Sequence, residues 1–70
     1  MDLETQVAQL HEALESRDLI GQAMGILIER DALSPQEALD QLKVASQRSN
    51  VRLREIAREV VDRAVQRPRR

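Results

Sequence analysis

The sequence predicts an all-α protein: a three-helix bundle with a long N-terminal helix whose first turns form a dimeric coiled coil. Three observations carry this. The 70 residues are rich in Glu, Gln, Arg, Leu and Ala, with two glycines, two prolines and no aromatic residue, which is a helical composition. Apolar residues recur at helical spacing in three successive segments. Between those segments stand a capping motif, "SPQE", and a short turn, "RSNV".

The first helix is expected from about Asp2 to Arg30. Leu3, Val7, Leu10 and Leu14 follow a 4-3-4 spacing, the stripe of a coiled coil. The next heptad positions would be Arg17 and Gly21, so that stripe stops. A second face takes over with Ala13, Ile20 and Leu27, joined by Ala23 and Met24. One helix thus uses one face for a partner and another for its own bundle. Two heptads are too short for a stable isolated coiled coil, so residues 1–16, a dimerisation part, rely on docking or a longer interface.

Both glycines of the chain, Gly21 and Gly25, lie in this helix. Each costs a helix interior about 1 kcal/mol relative to alanine. At i and i+4 they share one face. The expectation is a flat strip, with Ala23 nearby, where another helix of the bundle packs closely. The alternative is that they clear space for a ligand.

The second helix, about Pro35 to Arg48, opens on a capping box: Ser34 as N-cap, Pro35 at the first helical position and Glu37 three residues after the cap. Ala38, Leu39, Leu42 and Ala45 face inward. Asn50 reads as a cap for the third helix. There Leu53, Ile56, Ala57, Val60, Val61 and Ala64 form a strong apolar stripe. Pro68 ends it, leaving residues 67–70 as a basic tail. No internal repeat or linker is visible.

The net charge of −1 hides an asymmetry. Residues 1–34 carry seven acids against two arginines, and residues 35–70 five acids against nine basic residues. A basic C-terminal half can present a face to a polyanion, or the two halves can attract each other within or between subunits. The absence of cysteine excludes disulfides and thiolate zinc sites, and one histidine argues against a multi-histidine metal site. His11 reads as a surface residue. The Glu12/Glu15 and Glu55/Glu59 pairs read as solvated faces rather than acid–base pairs. No catalytic residue or cofactor is expected. No apolar run reaches membrane-span length and the acidic N-terminus is unlike a signal peptide, so a bacterial cytoplasmic location is expected.

The basic residues gather at one turn. Arg48, Arg52 and Arg54 surround the start of the third helix, with Gln47 and Asn50 among them and Arg58 one turn on. Arginines and a helix N-terminus suit a phosphate backbone, and the amides suit base edges. A solvated helix is the competing reading, since Glu55 and Glu59 can pair with Arg58 and Arg63. Without aromatics, bases could stack only on arginine planes or aliphatic surface.

"SRDLIGQAMGILIER" followed by "SPQEALDQLKVASQRSNVRLREIAREVV" closely resembles the ANTAR domain, the RNA-binding module of bacterial transcription antitermination regulators. The resemblance covers about Leu14 to Val61. It rests on the ordered series Arg17, Ile20-Gly21-Gln22-Ala23, Gly25, Leu27, Glu29-Arg30, Ala38, Leu42, Ser46-Gln47, Asn50, Leu53-Arg54 and Ala57. It implies a three-helix RNA-binding domain over residues 14–66 and a homodimer formed through the early first helix, with Leu3, Val7, Leu10 and Leu14 in the seam. It also implies that the dimer holds two adjacent hairpins of a nascent leader transcript and so prevents a terminator hairpin from forming. Carried over by position, Gln22, Arg30, Gln47, Arg48, Asn50, Arg52 and Arg54 are the RNA-facing candidates. The arginines would hold phosphate or loop bases, and the amides would read base edges. Ile20, Ala23, Leu27, Ala38, Leu42, Leu53 and Ala57 match the family's core. Many members carry a lysine where this chain has Met24, and an aromatic where it has Leu39. Members usually follow a sensor domain. The initial Met-Asp and immediate heptads favour a stand-alone protein, controlled by abundance, dimerisation or a partner protein.

Two other functions compete: a helix-turn-helix DNA-binding regulator, using a basic third helix after a short turn, and a helical dimerisation or adaptor module without nucleic acid.

Overall fold

A computed structural model describes residues 3–66, and they form three helices: α1 (Leu3–Asp31), α2 (Pro35–Ser49) and α3 (Leu53–Gln66). Asp2, expected to start the first helix, and the basic tail at 67–70 with Pro68 lie outside the described residues. At about 1.5 Å per residue, the 29 residues of α1 span about 44 Å and account for the 47 Å long axis. The other two helices, of 15 and 14 residues, are half as long. They pack only along the second half of α1. Every residue from Leu3 to Glu15 is exposed, and the residues of α1 that pack on the core begin at Leu19.

The core is small and built largely from alanine. Ala23, Ala38 and Ala57, one from each helix, are fully buried, together with Leu27 and Leu42. Leu19, Ile20, Met24, Ile28, Leu33, Leu53, Ile56, Val60 and Val61 pack around them, partly buried. Of the seven residues that the resemblance places in the core, five are thus buried, and Ile20 and Leu53 line the rim. Ala13, expected on the bundle face, is exposed because it precedes the part of α1 that α2 and α3 reach. Leu33, in the turn between α1 and α2, packs against the core.

The glycine expectation is overturned. A methyl group placed on either Gly21 or Gly25 would meet no atom within 4 Å, and both residues are exposed. At about 100° per residue, they fall opposite Ala23 and Leu27, on the same side as Leu3, Val7, Leu10 and Leu14. Close helix approach is provided instead by the three buried alanines.

The helix ends follow local chemistry. Ser34 adopts extended backbone, its hydroxyl accepts the Glu37 amide at 3.1 Å, and its own amide donates to the Glu37 carboxylate at 3.0 Å. This is the expected capping box, with Pro35 at the first turn. The capped amide holds the exposed Glu37 carboxyl below the usual glutamate range, the Ser34 backbone bond being the larger cause. Ala32, just past α1, sits in the left-handed region at φ 55. Asn50 also adopts it, at φ 56, as the C-cap of α2 and not the cap of α3. Asparagine tolerates this conformation well, and it turns the chain out of α2. The third helix starts two residues later, with the Arg52 carbonyl accepting the amides of Glu55 and Ile56 at 2.9 and 3.1 Å.

Side-chain neighbours fix the direction of the helices. Arg58 lies beside Asp18 and Gln22, and Arg63 beside Ile26 and Arg30. Later residues of α3 therefore meet later residues of α1, and the two run parallel and pack directly on each other. The α2–α3 turn and the C-terminus of α1 lie at opposite ends of the bundle. Among the described residues, no helix is long and apolar enough to cross a membrane.

Candidate nucleic-acid interface

The α2–α3 turn gathers most of the expected contact residues. Gln47 and Arg48 belong to the last turn of α2, Asn50 caps it, Arg52 precedes α3, and Arg54 lies in the first turn of α3. Two hydroxyls shape the junction. Ser49 donates to the Ala45 carbonyl at 2.7 Å within its own helix, and Ser46 donates across the turn to the Val51 carbonyl. Val51 itself is 40% exposed and offers an aliphatic surface between Asn50 and Arg52.

Charge is compensated unevenly. Arg58 lies 4.0 Å from Glu55, and Arg63 pairs with Glu59 one turn earlier, as their spacing predicts. Arg30 engages Asp31 through both arms of its fork, Nε to Oδ1 and Nη2 to Oδ2 at 3.1 Å each. Those bonds hold the exposed Arg30 guanidinium above its ordinary pKa. Arg54 is half-buried; its Nε lies 3.6 Å from Glu55 and makes no hydrogen bond. Among the described residues, the guanidiniums of Arg48 and Arg52 have neither an ion-pair nor a hydrogen-bond partner. The two arginines flanking Asn50 are thus exposed and uncompensated, whereas those along α3 are paired. Within Leu53–Gln66 three arginines balance three acids, so the third helix is not the basic element that its arginines suggested.

The other two candidates lie elsewhere. Gln22 is exposed on α1 in a shallow groove with Glu15, Asp18, Leu19 and Arg58. Arg30 lines a groove of about 550 Å³ with Ile26, Glu29, Arg63 and Ala64 at the far end of the bundle. That end is about 20 Å from the turn, the length of a 14-residue helix. The seven candidates therefore do not form one cluster: Gln47, Arg48, Asn50, Arg52 and Arg54 come together, Gln22 lies partway along α1, and Arg30 is remote. Arg58 and Arg63, not among those seven, share the grooves of Gln22 and Arg30. The parallel course of α1 and α3, which brings them there, leaves no mark in the local sequence pattern.

The arrangement can hold an anionic chain at the turn. Two free guanidiniums supply charge-assisted donors, Gln47 and Asn50 supply amide donors and acceptors, and Val51 supplies an apolar contact. The family model for the ANTAR domain matches residues 8–61. Neither a curated protein nor a solved structure matches the chain.

Proposed function

Because the chain belongs to the ANTAR domain family, a regulatory RNA-binding family and not an enzyme family, we propose that it is a dimeric antitermination regulator. It binds the loops of paired RNA hairpins in a nascent leader transcript through the α2–α3 turn. By holding those hairpins it disfavours the overlapping terminator, biasing a choice between two RNA folds. The observation that carries this reading is the pair of exposed, uncompensated arginines, Arg48 and Arg52, on either side of Asn50. They contact phosphate and position the chain, while Gln47 and Asn50 read base edges of unpaired nucleotides. Gln22 and Arg54 extend the same contact, and Arg30 contributes only after releasing Asp31.

Dimerisation uses the outer face of α1. Leu3, Val7, Leu10 and Leu14 are 74, 47, 59 and 49% exposed. A helical segment standing clear of its bundle is marginal in water unless its apolar stripe is covered. A second copy covers it and sets two RNA-binding turns at a fixed separation.

The charge balance of α3 speaks against the DNA-reading alternative, since a recognition helix laced with its own ion pairs offers the major groove little net charge. The test is a titration of matched hairpin RNA and duplex DNA at several salt concentrations. Hairpin preference is expected. Replacing Arg48 and Arg52 with alanine should weaken binding and lower the salt slope by about 1 for each phosphate no longer neutralised. Preference for duplex DNA, or unchanged binding by the double variant, refutes the proposal.

A further inference from the structure

Ser46 is not among the contact residues, yet it makes a side-chain bond that crosses the α2–α3 turn. Its hydroxyl donates to the Val51 carbonyl, five residues ahead. A serine within a helix ordinarily bonds back to a carbonyl of its own preceding turn. Ser49 does so, with Ala45. Ser46 reaches forward instead, from a half-buried position, and closes the loop that Asn50 opens by entering the left-handed region.

We propose that Ser46 is a positioning residue for RNA binding: the Ser46–Val51 bond latches the α2–α3 turn in the one conformation that aligns Arg48, Asn50 and Arg52. The inference rests on the RNA-binding reading above. Its physical basis is the shortness of the connection. Asn50 turns the chain through the left-handed region, which asparagine tolerates but does not prefer to the right-handed one, and the Arg52 carbonyl is already committed to the first amides of α3. Between these two fixed points only Val51 is left to swing, and Ser46 holds it. Val51 is exposed, so water can take over its carbonyl when the hydroxyl is removed. Losing the latch therefore releases the turn without exposing core. The binding-competent turn becomes one conformer among several, and the apparent affinity falls in proportion to its population.

The test uses the full chain with a library of RNA hairpins of fixed stem and randomised loop, from which wild type selects its tightest loop. Association and dissociation rates are then compared for wild type, Ser46→Ala, Ser46→Cys, Ser46→Thr and Arg52→Ala on that loop. Ser46→Ala and Ser46→Cys should associate about fivefold more slowly, the population cost of one ordinary hydrogen bond, with dissociation unchanged. Ser46→Thr, which keeps the hydroxyl, should behave as wild type. Arg52→Ala, which removes a phosphate-binding group, should instead dissociate faster. Cysteine has the shape of serine with a slightly larger atom and only a weak S–H donor, so it decides the matter if the alanine variant loses helicity. Unchanged association in Ser46→Cys overturns the latch, and so does a faster dissociation, which would make Ser46 a direct RNA ligand. A wild type that selects no hairpin overturns the RNA-binding reading itself, and the latch with it.

Discussion

Replacing both glycines of α1 with alanine should stabilise the protein substantially. Gly21 and Gly25 are helical, exposed, and have no atom within 4 Å of where a methyl would stand. The substitution therefore meets no steric penalty within the chain, and only the backbone propensity difference remains. That difference is about 1 kcal/mol per position, because glycine has more freedom to lose on folding. The double variant should gain about 2 kcal/mol. For a domain of this size, each kcal/mol corresponds to about 4–8 °C in Tm, so an increase of roughly 8–16 °C is expected. With no Trp or Tyr, intrinsic fluorescence is no probe; thermal melting followed by far-ultraviolet circular dichroism at several protein concentrations is the assay. An unchanged or lowered Tm refutes the reasoning, because it would mean that something packs closely against this face in solution. Any loss of RNA binding in a variant that gained stability would show that the glycines are kept for close approach of a ligand or a second copy.

Three further outcomes follow from the structure. Leu10→Glu places a charge in the middle of the exposed stripe and should convert a dimer to monomer in sedimentation; an unchanged mass removes the stripe from the interface. Ala32→Gly relieves an alanine held at φ 55 and should add about 0.5–1 kcal/mol in urea unfolding after the entropy of the freer unfolded chain is subtracted; a loss of stability would place the strain elsewhere. Glu37 has a depressed pKa in the folded state, so its contribution is present above the ordinary glutamate pKa and is lost as pH falls from there through the folded value. Glu37→Gln should therefore flatten the acid limb of the stability profile below about pH 4, and Ser34→Ala should cost about 1 kcal/mol at neutral pH. An acid limb identical to wild type in Glu37→Gln would exclude the capping carboxylate as its source.

The elements written in local chemistry were legible. The capping box at Ser34–Glu37 depends on residues three apart and forms as its spacing predicts. The buried residues Ala38, Leu42 and Ala57 follow helical periodicity. The Asn50 turn was located correctly but assigned to the wrong helix. An asparagine between two helices satisfies either an N-cap or a left-handed C-cap, and only the backbone path decides which. The basic cluster at the turn was visible in the sequence, yet which of its arginines are free was not. That depends on whether a carboxylate lies within reach, as Glu55 does for Arg54 and Arg58.

By itself, then, the sequence determined the helices, the Ser34 capping box, most of the core and the family, because each rests on spacings of a few residues along one chain. Tertiary structure alone decided three things. It gave close packing to Ala23, Ala38 and Ala57 and left Gly21 and Gly25 open. It ran α1 and α3 parallel, which moves Arg30 to the far end of the bundle from Arg48 and Arg52. It also tied Ser46 to Val51 across the turn. Each depends on where one helix lies relative to another. Periodicity tells which residues share a face, but not which face a neighbouring helix covers. In this chain, one side of α1 carries the bundle, and the opposite side carries the leucine stripe and both glycines.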